Sequence, residues 1–269
     1  MEVHHPHHAA HKKKVTEYIL EFFMLFLAVS LGFLAENIRE HYVERERAHE
    51  LVESFMKDVE INIGYLDSLI NSDRKMIFKN DSSINYLLTN EEIKLDSFYN
   101  FLPVTSYRYL NNNETYDQMK SSGSLRYIKD TTLLRKVINY NNASKAAEFR
   151  SVTQEYDYTA HEYIDALQKW MPPEIAVKRH AKPYLTNPLF KRMIGSNENK
   201  VLIAKLYDSD KEKTHKISGG ELIQMRKELI PVISRKTFLM SASEMYMYTA
   251  LDQAKELIHY YKERNSATD

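Results

Sequence analysis

Apolar residues dominate positions 18–35 of the chain, and the segments on both sides of this stretch are strongly charged. From Phe22 to Ala35 no polar side chain larger than that of Ser30 interrupts it. The stretch comprises about 18 residues, close to the ~20 that an α-helix needs to cross the hydrocarbon core of a bilayer. The pattern predicts one transmembrane helix over residues 16–37, because no second apolar stretch of this length follows.

Three lysines, Lys12, Lys13 and Lys14, precede the apolar stretch. Basic residues next to a membrane span favour the cytoplasmic side, so we expect residues 1–15 to form a cytoplasmic stub and the rest to be exported. The alternative is a cleaved signal peptide. Its candidate cleavage site, 33–35, carries the bulky Phe33 where a small residue is required, which favours a retained anchor.

The predicted stub is rich in histidine, a residue that binds divalent metals through its neutral imidazole. The alternatives are a purification tag, which Pro6 and the pair Ala9 and Ala10 argue against, or a solvated tail. Because no ordered scaffold surrounds these side chains, we predict no metal site there. The histidines are His4, His5, His7, His8 and His11.

One face of the membrane helix is predicted to contact a partner. Glu21, Leu25, Ala28 and Gly32 fall along one stripe at helical spacing. Ala28 and Gly32 form a small-xxx-small pair, which allows a neighbouring helix to approach closely in lipid. A carboxyl group at Glu21 is more favourable against protein or headgroups than against lipid tails. The alternative is a generic anchor in which these small residues occur by chance.

No proline occurs between Pro6 and Pro103, so the predicted membrane helix can continue beyond the membrane as one long helix. This continuation carries a second apolar stripe, which we call the seam. This seam recurs at spacings of three and four residues and contains one polar position of the kind that determines register in coiled coils. It fits either a coiled coil between chains or, as we favour, packing within one chain. The seam consists of Val52, Phe55, Val59, Asn62 and Leu66, flanked by Ala48 and Leu69.

The remaining chain also has helical patterning, and glycine is scarce, with 6 residues in 269. We therefore predict an all-α fold, in which the transmembrane helix continues into a periplasmic helical bundle. Its predicted parts are a membrane-proximal long helix and connector (38–100), a bundle segment (101–171), a proline-rich crossing segment with a charged loop (172–220), and a C-terminal kinked helix and tail (221–269).

Within the bundle segment, a helix is predicted over 114–121 after three asparagines and before Gly123, a candidate C-cap. Asp130 is a candidate N-cap for the apolar stretch that follows. A separate long helix is predicted over 142–170, and Pro231 is expected to kink the last helix.

Composition excludes several classes of protein. The chain has no cysteine, so an exported domain must be stabilised by its core without disulfides. Its 37 basic residues balance 37 acidic ones, which argues against nucleic-acid binding. Two Glu-x-x-His pairs, Glu46 with His49 and Glu256 with His259, exceed the roughly one pair expected by chance by too little to indicate a di-iron site. We therefore predict no catalytic residues, no cofactor and no metal.

Two blocks of the chain resemble a group of uncharacterised single-span envelope proteins of Bacteroidota. The first covers residues 21–33 (EFFMLFLAVSLGF) and 36–41 (ENIREH), and the second covers 115–125 (TYDQMKSSGSL). The resemblance implies an anchor in the bacterial inner membrane and a helical periplasmic domain. It implies no activity, so no functional residues are transferred.

The function predicted from the sequence is non-enzymatic. The bilayer is one expected partner, and a membrane-protein partner or a second copy of the chain is the other. We expect an accessory subunit or scaffold of an envelope complex, with contacts along the Ala28 and Gly32 face and the seam. The alternative is a ligand-sensing domain whose pocket would be the tyrosine-rich segment 107–140. A metal-dependent enzyme is the least favoured class.

Overall fold

A computed structural model describes residues 15–103, 106–173, 175–176 and 215–266. The histidine-rich stub, the charged loop 208–213 and most of the proline-rich crossing segment lie outside the described residues. The described chain is all-α apart from two short strands, as the sequence predicts.

The first helix, α1 (Val15–Thr89), is 75 residues long. At about 1.5 Å of rise per residue it extends about 110 Å. Its first buried residue is Ala48 and its first ion pair with the bundle is at Glu44, so residues 15–43 project from the bundle. Within the described residues α1 is the one helix long and apolar enough to span a membrane, and none of its apolar stretch is buried by the rest of the chain.

Short elements connect α1 to the rest of the bundle. They are β1 (Glu92–Lys94), α2 (Leu95–Phe101), α3 (Glu114–Ser121) and a 3₁₀ turn (Ser124–Tyr127). The predicted boundaries of α3 agree with the structure. Gly123, with a φ of 72°, adopts the left-handed conformation that ends this helix region.

The next helix, α4 (Thr131–Phe149), begins eleven residues before the start predicted at 142. The Asp130 carboxylate accepts hydrogen bonds from the backbone N–H groups of Thr132 and Leu133. After α4 the helical path continues through two π-helical segments, Arg150–Tyr156 and Thr159–Tyr163, into α5 (Ile164–Lys169). The predicted separate helices are thus one helical path, because nothing interrupts it near Asn142.

The last strand and helix close the bundle. Strand β2 (Lys216–Ser218) pairs antiparallel with β1, with Ile217 opposite Ile93. Both isoleucines are buried, which explains the pairing although the helical patterning did not predict a sheet. Helix α6 (Gly219–Ser266) then returns along α1 and continues through Pro231. Arg226 of α6 donates to the carbonyl oxygens of Leu87 (2.6 Å) and Asn90 (2.7 Å), which satisfies the C-terminal end of α1.

The core is layered along α1. Nearest the projecting segment, residues 51–59 of α1 pack against α3, α4 and the end of α6. The middle layer contains Leu66 and Leu69 together with Met247 and Leu251. The distal layer surrounds Phe98 and Tyr99 of α2. Polar residues occupy the level between the middle and distal layers, and they are described below.

Candidate functional site

The predicted contact face of the apolar stretch is uncovered. Glu21, Leu25, Ala28 and Gly32 are all exposed on the projecting part of α1. A methyl group added at Gly32 would meet no atom of the chain within 4 Å. The face is therefore sterically open to a neighbouring helix.

The predicted seam is instead covered by the chain itself. All of its members are buried, and Phe55, Val59, Asn62 and Leu66 are at most 1% exposed. Phe55 packs its ring 5.9 Å from that of Tyr116 and 6.1 Å from that of Tyr140. The seam therefore packs within one chain, and the expectation that it carries partner contacts does not fit this fold.

Asn62, the polar member of the seam, holds the asparagine-rich loop against α1. Its Nδ2 donates to Oδ1 of Asn111 (3.0 Å), to the carbonyl oxygen of Asn112 (3.1 Å) and to the Tyr140 hydroxyl (2.9 Å). Its Oδ1 accepts from the Asn112 backbone N–H at 3.2 Å. Asp58, one turn earlier, accepts from Asn112 and from the Thr115 hydroxyl. The polar seam position thus determines where the loop docks.

Three tyrosines of the tyrosine-rich segment are core residues. Tyr109, Tyr116 and Tyr140 are buried in the core, and the Tyr109 and Ser144 hydroxyls lie 2.6 Å apart. Burial raises the pKa values of these three tyrosines. They are packing residues, so a ligand pocket formed by them does not fit this fold.

A buried charged layer, which sequence reasoning missed, lies between the middle and distal core layers. Asp73 of α1, Glu155 of the first π-helical segment and Lys236 of α6 are each at most 1% exposed. We call these three residues the charged layer. The ammonium group of Lys236 lies 4.2 Å from the centre of the Tyr163 ring and donates to the carbonyl oxygen of Pro103 at 3.5 Å. The Ser106 hydroxyl donates to the Glu155 carboxylate.

Several polar atoms at this level have no hydrogen-bond partner among the described residues. Each buried polar atom without a partner lowers the stability of the fold by about 1–3 kcal/mol. The apolar layers on either side must therefore stabilise this level of the bundle. The atoms are Oδ1 of Asp73, Oδ1 of Asn80, Oε2 of Glu155, Oγ1 of Thr159 and Oγ of Ser243.

The charged layer carries two carboxyl groups for one ammonium group. Burial, the negative charge of Glu155 and that of Glu244 raise the pKa of Asp73 to about 8. Burial also raises the pKa of Glu155, and burial lowers the pKa of Lys236 to about 8. At neutral pH these shifts favour a protonated Asp73 beside a charged Lys236. The layer can therefore take up or release a proton in mildly alkaline solution.

The π-helical segments bring Glu155 and Thr159 into the interior. Buried positions in this part of the path recur every four residues, a spacing that suits the wider i→i+5 turns of a π-helix. Such turns are rare in proteins as a whole, and those that do occur are frequently located at functional sites. The positions are Ala147, Ser151, Glu155, Thr159 and Tyr163.

The sequence did contain a signal for part of this layer. The spacing of three and four residues that defines the seam continues beyond Leu69 through polar positions. Extending the seam would have indicated Asp73 as a buried carboxyl group. The continued positions are Asp73, Met76, Asn80, Ser83 and Leu87.

In the part of the chain that the structure describes, no three His, Asp or Glu side chains form a group that could hold a metal ion. His49 lies 3.6 Å from Glu53, and His259 lies 3.2 Å from Glu263, each on the surface of its own helix.

Comparison of the chain with protein-family models, curated proteins and solved structures finds no match.

Proposed function

We propose that the chain is a non-enzymatic, single-pass protein of the bacterial inner membrane whose helical domain lies in the periplasm. There it acts as a scaffold or accessory subunit of a membrane complex. The observation that supports this proposal is the continuity of α1, which contains both the uncovered apolar stretch and the buried seam. Because one helix carries both, a partner that binds the membrane segment also positions the bundle.

The orientation is supported by the lysines at 12–14 on the short side of the apolar stretch. Because the chain has no cysteine, single cysteines placed at Ala9, in the predicted stub, and at the exposed Asn85 report on the two sides without background. We expect a membrane-impermeant maleimide to label Asn85→Cys, but not Ala9→Cys, in cells whose outer membrane has been permeabilised. The reverse pattern would contradict the orientation.

Purification of the protein from native membranes in mild detergent tests whether a partner binds the predicted contact face. We expect a defined membrane protein, or a second copy of the chain, to co-purify with the wild type and to be lost with Gly32→Leu. The control is Ser30→Leu, since a residue two positions away points about 200° around the helix. Equal recovery of the partner with both variants would contradict the proposed contact face.

A second candidate function, sensing by the periplasmic domain through a membrane partner, is supported by the charged layer. Asp73 lies on the same helix as the membrane segment, and its pKa of about 8 makes its protonation responsive to pH. This candidate predicts that recovery of the partner changes between pH 6 and 9 in the wild type and not in Asp73→Asn. The scaffold role alone predicts no such change.

A further inference from the structure

A groove lies at the end of the bundle nearest the projecting part of α1. Its volume is about 270 Å³, and it opens between α1, the segment after the 3₁₀ turn and the end of α6. Four of its lining residues are basic side chains, and none carries a carboxylate. These basic residues are Arg45, His49, Lys129 and Arg264.

The charges of the groove are only partly compensated by neighbouring carboxylates. Arg264 lies 3.4 Å from Asp130, and His49 lies 3.6 Å from Glu53. Arg45 and Lys129 are exposed and form no ion pair within the described part of the chain. The nearby Glu44 is paired with Arg126 at 3.1 Å. The groove therefore has two cations available for an anion.

The floor of the groove is apolar. Ala48, Val52 and Leu133 are buried there, and Ile128 is half-buried beside them. A cationic rim above an apolar floor matches a ligand in which a phosphate group adjoins an apolar part. Arginine and lysine are the side chains best suited to the phosphate, because they form charge-assisted hydrogen bonds to its oxygens.

The groove is also close to the expected membrane surface. Arg45 lies ten residues beyond Ala35, or about 15 Å along α1, and helical side chains point back toward the N-terminus, here toward the bilayer. The polar headgroup layer extends about 5–8 Å beyond the hydrocarbon core on each side. An extended arginine side chain at this position bridges most of the remaining distance.

We propose that this groove binds the phosphate-containing headgroup of an anionic membrane phospholipid, with Arg45 and Lys129 as the residues that contact the phosphate. The inference rests on the proposed membrane anchoring of α1. It assigns the bundle a contact with the bilayer that is separate from the transmembrane helix. Such a contact holds the base of the bundle against the headgroup layer.

The test uses the full chain in nanodiscs that contain equal amounts of phosphatidylglycerol and phosphatidylcholine, with the bound lipids counted by native mass spectrometry. We expect the wild type to retain phosphatidylglycerol preferentially. The double variant Arg45→Gln/Lys129→Gln should weaken this preference about thirtyfold, given the usual contribution of about 1 kcal/mol from each basic residue at a membrane surface. Arg45→Lys, which keeps the charge, should retain most of it.

The charge-matched control is Arg47→Gln/Lys120→Gln, because both residues are exposed and neither lines the groove. Equal lipid preference in the groove and control variants would overturn the proposal. Release of the lipid by millimolar inorganic phosphate would also overturn it, since the groove would then recognise soluble phosphate. Failure of the chain to enter nanodiscs would contradict the anchoring, whereas entry without lipid preference would contradict the groove alone.

Discussion

The ammonium nitrogen of Lys236 lies 4.2 Å from the centre of the Tyr163 ring, inside the bundle. A buried lysine is costly because its charge is removed from water, and an aromatic face and carboxylates offset part of that cost. The burial of the Lys236 charge is therefore stabilised by the carboxyl groups of the charged layer, and the burial of those carboxyl groups is stabilised by Lys236.

Replacing Lys236 with methionine is expected to lower the free energy of unfolding by about 3 kcal/mol, because the carboxyl groups of the charged layer would lose their one buried cation. Urea titration of the full chain in mild detergent measures this change. Lys255→Met is the control, since Lys255 lies on the same helix and its ion pair with Asp67 is half-exposed. A loss below 1 kcal/mol in Lys236→Met would show that these carboxyl groups are not left charged.

The free energy of unfolding should pass through a minimum near pH 8. The pKa of Asp73 rises from 3.8 to about 8 on folding. Between these two pH values the folded chain keeps a proton that the unfolded chain has lost, so the free energy of unfolding falls as the pH rises. The pKa of Lys236 falls from 10.5 to about 8, so stability rises with pH above 8.

Urea titrations between pH 5 and 10 check this profile. Asp73→Asn should flatten the acidic side of the minimum and leave the rise on the alkaline side. An acidic side that is unchanged in Asp73→Asn would assign the titration to other groups.

Replacing Asn62 with leucine should destabilise the fold by about 2 kcal/mol, because the hydroxyl of Tyr140 and the backbone of Asn112 would lose a buried partner. Hydrogen exchange at Asn112 should accelerate, since its backbone N–H donates to Asn62 in the folded state. Asn85→Leu, an exposed change on the same helix, should alter stability by less than about 0.5 kcal/mol. Unchanged exchange at Asn112 would mean that the loop is held by Asp58 instead.

Replacing two of the glycines with alanine should change the stability of the fold in opposite directions. Gly123→Ala should cost about 1 kcal/mol, because the φ of 72° is unfavourable for a residue with a Cβ. Gly64→Ala should gain about 0.5–1 kcal/mol, since Gly64 lies within α1 and an added methyl group meets nothing within 4 Å. Thermal unfolding followed by circular dichroism compares the two, and a stabilising Gly123→Ala would contradict the left-handed turn.

The helices were predictable where apolar spacing and caps agree. The absence of proline between Pro6 and Pro103 predicted α1 as one long helix, and Asn113 and Gly123 bracket α3. Strand β1 was missed because a three-residue strand has too few positions to show an alternating pattern. Its partner β2 is distant in the sequence, so only tertiary contact reveals the pair.

The charged layer was harder to predict because its residues look like surface residues. Glu155 lies in a segment whose buried positions are polar or small, and only π-helical turns direct it inward. Lys236 continues the three- and four-residue spacing of the buried positions Ile233 and Met240, but lysine is a residue that usually lies on the surface. The groove combines residues from α1, the loop before α4 and α6, and spacing within one helix does not predict such a combination.

The continuity of α1 also determines where around its axis a partner can approach. At about 100° per residue, the twenty positions from Gly32 to Val52 turn the helix by about 200° beyond whole turns. The bundle therefore packs on the side of α1 opposite to the Ala28 and Gly32 face. Under the proposed membrane anchoring, a protein that binds this face within the bilayer finds the same side of α1 uncovered beyond the membrane, so it can extend alongside the bundle without a clash.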